Sequence, residues 1–280
     1  MRSELIMTTY NSPRALALCL ESVLLQTHMP DSICIADDGS GPETVALIAE
    51  FAARFAPVRL RHVWHADNGF EKCKILNSAI KSSEAEFLFF IDGDVLIHPN
   101  FLARHVALAK RGRFCTGSLI RLDDPTTKGL TEADIMSGRV FERDWLRTHG
   151  AIDRLGTWLK TMPFPFFVQN WLDILTPVQK ALCGANWSGY RDDILAVNGF
   201  DEDIKYGGLD KEFGIRLQNN GTKGRHLRYT APLVHQDHPR GYRDPDKVKR
   251  HKQLIRDVRT SGRWWTDHGI EKGKSDVQEG

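Results

Sequence analysis

The sequence lacks an excess of either charge. Its 38 Lys and Arg residues are balanced by 36 Asp and Glu residues, which gives a formal net charge of +2 over 280 residues. A dedicated nucleic-acid-binding protein carries a large basic excess, and a disordered chain combines low hydrophobicity with high net charge. Because 41% of the residues are hydrophobic, the composition instead predicts a folded chain of one or two domains.

Paired cysteines, a targeting segment and long apolar runs are also missing. The five cysteines are odd in number and show no Cys-x-x-Cys spacing, which favours a reducing cytosol. The N-terminus has no charged region followed by a long apolar run, so it does not read as a signal peptide. Apolar stretches such as 87–91 are too short to span a bilayer. We therefore expect a cytoplasmic protein.

Short apolar segments alternate with amphipathic helical patterns through the first 120 residues. Strands are predicted at 5–7, 33–35, 58–63, 87–91 and 114–119, with helices at 13–26, 43–54, 71–81 and 100–110. This order predicts an α/β fold with a mostly parallel sheet flanked by helices. Residues 87–91 are apolar throughout, which is typical of a central strand that is buried on both faces.

Residues 121–180 interrupt this alternation. One or two helices are predicted within 130–146, and the prolines near residue 165 exclude a continuous helix through 162–167. Two interpretations of the aromatic residues here remain open. They either pack on the core as part of a lid or small subdomain, or they form a surface for a lipid-linked or sugar acceptor. The residues concerned include Trp158, Phe166, Phe167 and Trp171.

Charge is distributed unevenly along the chain. Residues 240–263 hold nine of the 38 basic residues and three of the 36 acidic ones, so the remainder has 29 basic and 33 acidic residues. The basic segment predicts a helix, followed by Trp264 and Trp265. This helix either docks on the preceding domain or contacts the anionic inner membrane through residues 240–265. We divide the chain into a domain at 1–239 and a basic extension at 240–280.

Polar residues follow three of the predicted strands, at 8–11, 37–40 and 92–94. Ligands of open α/β sheets bind beyond the carboxyl ends of the strands, so we expect these residues to line one crevice. Each cluster alone also fits an ordinary turn. Asp92 and Asp94, however, follow a doubly buried strand and need a cation or a network of hydrogen-bond donors nearby. Mg²⁺ or Mn²⁺ would supply it and would bridge the carboxylates to substrate phosphates.

The runs 7–11, 35–40 and 90–94 resemble, in order and spacing, the nucleotide-binding half of family 2 glycosyltransferases of the GT-A fold. Residues 65–77 are similar to a stretch of bacterial chondroitin and hyaluronan synthases and of lipopolysaccharide transferases. Residues 184–188 and 199–202 resemble the acceptor half. The resemblance covers most of residues 3–238. It implies a Rossmann-like domain with a nucleotide-sugar half at 1–120, an insert at 121–180 and an acceptor half at 181–239.

The resemblance also implies which residues bind the donor. Thr8 and Tyr10 would border the nucleoside, with Asn11 nearby. Asp38 would accept a hydrogen bond from uracil N3–H, which favours UDP over other carriers. Relatives carry Arg where this chain has Leu76, so a cation for the diphosphate must come from elsewhere; Lys74 is the nearest candidate.

A metal site is the second implication. Asp92, with Gly93, would face the ribose or the metal, and Asp94 would bind the metal. His235 resembles the late histidine ligand of the family, and His238 is an alternative for that role. Because neutral imidazole suits Mn²⁺ better than Mg²⁺, the set favours manganese.

The resemblance places the catalytic base at Asp210, at the start of a predicted helix. A helix N-terminus lowers the pKa of a carboxyl, so we expect Asp210 to be ionised. Asn186 and Trp187 would contact the acceptor, although Trp187 also fits an ordinary core position. Leu209 stands where some relatives hold the acceptor with Glu, so we expect a different acceptor here.

These observations predict an inverting, metal-dependent glycosyltransferase. It would move a hexose or N-acetylhexosamine from a UDP-sugar to a cell-surface glycan, in lipopolysaccharide or capsule. The alternative is a non-catalytic glycan- or membrane-binding protein with the same fold. A nucleotidyltransferase is disfavoured because no Gly-rich basic loop follows the first strand. A dehydrogenase is disfavoured because no G-x-G-x-x-G follows it either.

Overall fold

A central sheet organises the chain, seen in a computed structural model that describes residues 1–176, 181–205, 207–238 and 245–272, with backbone alone at 245–249 and 251. The strands are β1 (Ser3–Thr9), β2 (Ser32–Asp37), β3 (Arg59–Trp64), β4 (Phe87–Asp92), β5 (Val95–Ile97), β6 (Arg113–Gly117), β7 (Leu119–Arg121), β8 (Asn186–Tyr190), β9 (Lys223–Leu227) and β10 (Leu233–His235). The main sheet is seven-stranded, in the order β3-β2-β1-β4-β8-β6-β9, and a smaller sheet has the order β5-β10-β7.

Helices cover both faces of the main sheet. They are α1 (Pro13–Leu24), α2 (Pro42–Arg54), α3 (Lys72–Lys81), α4 (Phe101–Ala107), α5 (Asp124–Gly129), α6 (Glu132–Met136), α7 (Arg143–Thr148), α8 (Leu155–Lys160), α9 (Phe166–Leu175), α10 (Arg191–Leu195), α11 (Leu209–Asn219) and α12 (Pro245–Ser261). Pro13 and Pro42 stand in the first turn of their helices, where the missing N–H costs no hydrogen bond. The predicted α/β fold with a mostly parallel sheet is confirmed.

Alternation along the strands produces two apolar layers. In β1, Leu5 and Met7 pack on one side with α1, α2 and α4, whereas Ile6 packs on the other side with α3, α10 and α11. Side chains of a strand point alternately to opposite faces, so a strand between two layers of helices must be apolar throughout. Residues 87–91 of β4 follow this rule and are buried.

β8 runs antiparallel to both of its neighbours in a sheet whose other pairs are parallel. Ile91 of β4 lies opposite Asn186 of β8. The start of β8 therefore lies beside the end of β4, at the edge where β1 and β2 also end. This reversal brings the residues before β8 to the polar clusters.

The insert forms a third apolar cluster beside the small sheet. Leu130, Ile135 and Leu146 pack with Ile120 of β7 and Val234 of β10. The helices predicted within 130–146 are confirmed as α6 and α7, with a short 3₁₀ turn between them. The interpretation that the later aromatic residues pack on the core is wrong for the following side chains, which are exposed: Trp158, Phe166, Phe167 and Trp171.

The basic segment docks on the preceding part of the chain. α12 packs against α11, and Val258 is buried there. Asn219 Nδ2 donates hydrogen bonds to the carbonyl oxygens of Val258 and Arg263, at 3.0 and 2.7 Å. The side chains of Lys247 and Lys249 lie outside the described residues, whereas five described cations of the segment are exposed: Arg250, Lys252, Arg256, Arg259 and Arg263. Within the ranges described, no helix is both long and apolar enough to cross a membrane.

Candidate active site

The ends of β1 and β4 meet at the floor of the crevice. Thr8 Oγ1 donates a hydrogen bond to Asp92 Oδ1 at 2.9 Å, and the Gly93 N–H donates to the Thr8 carbonyl at 2.7 Å. A Cβ at residue 93 would stand 2.9 Å from that carbonyl oxygen. The close approach explains why glycine separates the two aspartates, Asp92 and Asp94.

Residues after β1 and β2 form the second part of the crevice. Asn11 has a positive φ of 43°, and its Oδ1 accepts the Gly41 N–H at 3.0 Å. The Tyr10 hydroxyl donates to Asp67 Oδ2 at 2.9 Å. Asp37, in contrast, is fully buried and accepts the Ser40 N–H at 2.9 Å, which makes it a turn residue. Tyr10 and Asn11 thus lie beyond the carboxyl end of β1, and Asp67 joins them through the Tyr10 hydroxyl.

Asp38 faces inward beside the start of α3. Its Oδ2 accepts the Glu71 N–H at 3.1 Å, and its Oδ1 lies 3.1 Å from His65 Nε2. Burial raises the pKa of Asp38, and the hydrogen bond from the Glu71 N–H and the neighbouring His65 oppose the rise, while the charge of the Glu71 carboxylate adds to it. The backbone of Glu71 therefore holds one oxygen of this carboxyl, and the other oxygen lies beside a histidine that the sequence analysis had not singled out.

Asp94, His235 and His238 form a cluster that could hold a metal ion, with ligand atoms all within 4.8 Å of one another. Asp94 Oδ1 lies 3.8 Å from His235 Nε2, and Asp94 Oδ2 lies 3.3 Å from His238 Nε2. Pairing of β10 with β5 creates the cluster, because it sets His235 opposite Val95. Both candidate histidines thus lie beside Asp94.

The cluster fits a divalent cation on electrostatic grounds. Asp94 Oδ1 is buried and has no hydrogen-bond partner among the described residues. Burial raises the pKa of Asp94, and the nearby Asp92 adds to the rise. A cation between the two carboxylates would reverse this unfavourable environment. One carboxylate with two imidazoles suits Mn²⁺ better than Mg²⁺.

Lys72, the first residue of α3, is a site residue that the sequence interpretation missed. Its Nζ lies 2.5 Å from Asp92 Oδ1. Burial disfavours its charge, but the carboxylates of Asp92 and Asp210 raise the pKa of Lys72 above its ordinary value. Burial tends to raise the pKa of Asp92, yet Lys72 and the Thr8 hydroxyl hold it below its usual range. Lys72 is therefore the cation that faces the carboxylates of the crevice.

The prediction that Lys74 supplies this cation is not supported by its position. Lys74 Nζ pairs with Glu71 Oε2 at 3.2 Å, and half of its side chain is exposed. Leu76, where relatives carry Arg, is buried in the core. Lys72 precedes Leu76 by four residues, so both lie on one face of α3. That spacing was the signal that could have identified Lys72 from the sequence.

Asp210 stands in the first turn of α11, which begins after Gly208, a residue with a φ of 96°. A Cβ at Gly184 would lie only 2.2 Å from Asp210 Oδ1, so the segment before β8 presses against this carboxylate. Burial, with a contribution from Asp92, raises the pKa of Asp210 to about 6, although Lys72 and the Gly184 backbone oppose the rise. The prediction that the helix N-terminus lowers this pKa is wrong, because burial outweighs the helix.

A buried ion pair fixes the helix that carries Asp210. Arg216 Nε donates to Glu212 Oε1 at 2.6 Å, and both side chains are fully buried. The other guanidinium nitrogens of Arg216 donate to the carbonyl oxygens of Val197 and Gly199, at 2.6 and 2.8 Å. α11 is thereby tied to the turn that follows α10.

Asn186 and Trp187 do not lie on a surface that an acceptor could contact. Asn186 is fully buried, and its Nδ2 donates to the carbonyl oxygens of Ser118 and Ala231, at 3.2 and 2.9 Å. Trp187 is 1% exposed and stacks on Phe90 with ring centroids 3.9 Å apart. Both predicted acceptor contacts are corrected to structural roles, because β8 lies at the centre of a sheet that is covered on both faces.

Sequence comparisons give this site a family context. Residues 4–168 match the model of glycosyl transferase family 2. The chain is 26% identical over 289 residues to the Bacillus subtilis glycosyltransferase YfnE, covering 89% of this chain and 68% of YfnE. It is 25% identical over 250 residues to the hyaluronan synthase of Pasteurella multocida, covering 78% of this chain but 23% of the synthase.

Solved structures show the same fold. The mannosyltransferase PcManGT of Pyrobaculum calidifontis, in complex with GDP-Man and Mn²⁺, aligns with a TM-score of 0.58 at 15% identity. The alignment covers 93% of this chain and 71% of that protein. S. aureus TarS 1–349 in complex with UDP-GlcNAc aligns with a TM-score of 0.59 at 16% identity, over 91% of this chain and 65% of TarS 1–349.

Proposed function

Because the chain belongs to glycosyl transferase family 2 and is therefore an enzyme, we propose that it transfers a hexose or N-acetylhexosamine from a UDP-sugar to a glycan, with inversion. One observation carries the proposal. Three groups with complementary roles lie together beyond the carboxyl end of β4: the Asp94–His235–His238 cluster, the cation Lys72 and the carboxylate Asp210. An acidic pocket with its own cations suits a negatively charged diphosphate joined to a sugar.

The nucleoside would bind between the residues after β1 and those after β2. Asp38 is a buried acceptor that would receive uracil N3–H, while Tyr10 and Asn11 would border the base and ribose. Structural relatives bind different carriers, GDP-Man in PcManGT and UDP-GlcNAc in TarS, so the fold alone leaves the base open. A carboxylate accepts the N3–H of uracil and equally the N1–H of guanine, so the proposal of UDP rests on the resemblance described for residues 35–40.

The diphosphate would lie between Lys72 and the metal cluster. A divalent ion held by Asp94, His235 and His238 would neutralise the phosphates and stabilise departing UDP as a Lewis acid. Lys72 would bind a phosphate oxygen as a point charge. To do so, Lys72 would give up part of its contact with Asp92 and form a contact with the phosphate instead. Lys72 and the metal ion together would balance the negative charge of the diphosphate, which the carboxylates of Asp92, Asp94 and Asp210 would otherwise repel.

Asp210 would act as the general base. The acceptor hydroxyl forms a new C–O bond at the anomeric carbon as the bond from that carbon to the phosphate oxygen breaks, and its proton passes to Asp210. The electron pair of the broken bond leaves with UDP. Attack opposite the leaving group inverts the anomeric centre. A pKa of about 6 leaves Asp210 mostly ionised at pH 7 yet basic enough to take the proton efficiently.

The acceptor is proposed as a cell-surface glycan, in lipopolysaccharide or capsule. Its support is the likeness to a polysaccharide synthase, of which this chain spans less than a quarter. Leu209 replaces the Glu by which some relatives would hold the acceptor, so selectivity must come from other groups beside Asp210. A cytoplasmic enzyme at the inner membrane face would meet such an acceptor during its assembly.

The test is UDP release across a panel of UDP-sugars, with and without Mn²⁺ or Mg²⁺. We expect metal-dependent release that is lost in Asp94→Asn and weakened by His235→Gln. His268→Gln is a matched control, because His268 also faces a carboxylate, 3.3 Å from Asp203, but far along the chain from the cluster. Release at the wild-type rate without metal would refute the metal role, and retained turnover in Asp210→Asn would refute the role of Asp210 as the base. Binding of UDP-sugars by the wild type without any turnover would favour a non-catalytic function.

A further inference from the structure

Helix α9 presents its apolar face to solvent instead of to the protein. Phe167, Trp171 and Leu175 are 64%, 58% and 69% exposed, and Ile174 is exposed beside them. These four residues recur at a spacing of four and then three or four, so they form one stripe along the helix. We call them the outer stripe. An amphipathic helix on the surface of a globular protein normally turns its apolar face toward the core and its polar face toward water.

The polar face of α9 is the one that anchors it. Asp173 is buried and accepts the Tyr229 and Thr230 N–H groups, at 2.7 and 3.2 Å. Asn170 Oδ1 accepts a hydrogen bond from the Arg225 guanidinium. Because these bonds fix the rotation of α9, the exposure of the outer stripe is built into the fold.

Helix α8, which is separated from α9 by five residues, also carries exposed apolar side chains. Leu155 and Trp158 are exposed, and so is Phe166 at the start of α9. Large exposed aromatic and aliphatic side chains seldom cluster on a monomer without a partner. Within the part of the chain that the structure describes, these side chains remain uncovered.

Cations lie next to this surface. Lys160 ends α8, and its Nζ donates to the Leu119 carbonyl at 2.8 Å. The Arg228 guanidinium lies close to Gly156 of α8, where a Cβ would be 3.0 Å from Nη2. Burial lowers the pKa of Lys160 to about 8, and Arg228 and Arg154 lower it further, with Asp153 opposing them. Arg228 and Arg154 thus place positive charge close to Lys160, beside the apolar side chains of α8, and an anionic partner would relieve this repulsion.

We propose that the outer stripe and the adjoining face of α8 form a membrane-docking surface that inserts into the interface of an anionic bilayer. Tryptophan and phenylalanine favour the headgroup region, and lysine and arginine beside them attract anionic lipids. A protein partner would match the apolar stripe but would not require the adjoining cations. The surface also differs from residues 240–265, whose helix buries one side against α11.

The experiment is co-sedimentation of the full chain with vesicles of phosphatidylcholine alone or mixed with phosphatidylglycerol. Wild-type protein should bind the anionic vesicles and bind the neutral ones weakly. The double variant Phe167→Ser/Trp171→Ser should lose binding by about tenfold or more, since two interfacial side chains are removed. Arg154→Gln should weaken binding to anionic vesicles by about fivefold and leave neutral vesicles unaffected.

Two control variants show whether binding depends on this surface in particular. Met136→Ser removes an exposed apolar side chain from α6, and Arg256→Gln/Arg259→Gln removes exposed charge from α12; neither should change binding more than about twofold. UDP release with a soluble acceptor should be the same in Phe167→Ser/Trp171→Ser as in wild type. Loss of vesicle binding with retained UDP release thus distinguishes this proposal from the proposed function.

The proposal is overturned if wild-type protein does not bind anionic vesicles, if it binds neutral and anionic vesicles alike, or if binding is lost in the α12 variant alone. A dimer by light scattering that dissociates in Phe167→Ser/Trp171→Ser, without vesicle binding, would assign the surface to a second copy of the chain. Binding only when a lipid-linked acceptor is added would assign it to the acceptor.

Discussion

Lys72→Met should move the acidic limb of the pH–rate profile to higher pH. Lys72 is the cation that opposes the raised pKa of Asp210. Without Lys72, burial and Asp92 raise the pKa of Asp210 further, so Asp210 stays protonated up to a higher pH. The base must be ionised to accept a proton, and activity therefore falls as pH decreases through the pKa of Asp210.

The size of the effect follows from the pKa of about 6. At that value Asp210 is about 90% ionised at pH 7 and half ionised at pH 6. If the variant raises the pKa by about one unit, equivalent to about 1.4 kcal/mol, these fractions fall to about one half and one tenth. Ionisation alone then lowers kcat about twofold at pH 7 and about fivefold at pH 6.

The assay is kcat for UDP release between pH 5 and 9, at saturating donor, acceptor and metal. Saturation matters because Lys72 is also proposed to bind the diphosphate, which would raise KM. Lys72→Arg should keep the limb near its wild-type position. Lys74→Met is the matched control, since Lys74 pairs with Glu71 and should leave the limb unmoved. A Lys72→Met profile that is lowered but not displaced would refute the reasoning, as would a displaced Lys74→Met profile.

Three further variants probe the framework. Trp187→Ala should lower the free energy of unfolding by about 3–5 kcal/mol in urea titrations, and a loss below about 1 kcal/mol would contradict its core role. Gly184→Ala should displace Asp210 and reduce kcat about 100-fold with little change in the urea midpoint; an unchanged kcat would contradict the contact. Arg216→Met should cost about 3–5 kcal/mol by stranding Glu212, and Arg216→Met/Glu212→Leu should recover most of it; equal losses would show that the pair does not act as a unit.

Local patterns predicted the parallel part of the fold, because a strand between two helical layers must be apolar along its length. The same rule could not identify β8. Its five residues include Asn186 and Ser188, and its central position depends on pairing with β4 and β6. Nothing in a short, partly polar segment indicates that it lies in the middle of a sheet.

For the site, chain order predicted where the carboxylates lie but not the charges around them. Asp92 and Asp94 follow a strand, so their position is local information. Lys72 was missed because a cation on the buried face of a helix is unfavourable unless a carboxylate meets it, and that meeting is a tertiary contact. The pKa of Asp210 was predicted in the wrong direction for the same reason, since burial depends on the segment before β8.

The insert shows another kind of limit. A helical stripe of apolar residues in 166–175 can be recognised from spacing, but spacing does not state which side faces the protein. Here Asp173 decides the orientation through hydrogen bonds to residues more than 50 positions away. The familiar assumption that apolar faces turn inward therefore fails for this helix, and of the two interpretations left open by the sequence, packing on the core is the wrong one.

The position of β8 inside the sheet has a consequence for folding during synthesis on the ribosome. β4 and β6 never pair with each other; both pair with β8, which is synthesised after the entire insert. Until residue 190 has emerged, the phenylalanine-rich edge of β4 has no neighbour on that side and can pair with other nascent chains. We expect a fragment ending at residue 120 to aggregate, whereas a fragment ending at residue 238 retains every strand of the main sheet and should remain in solution.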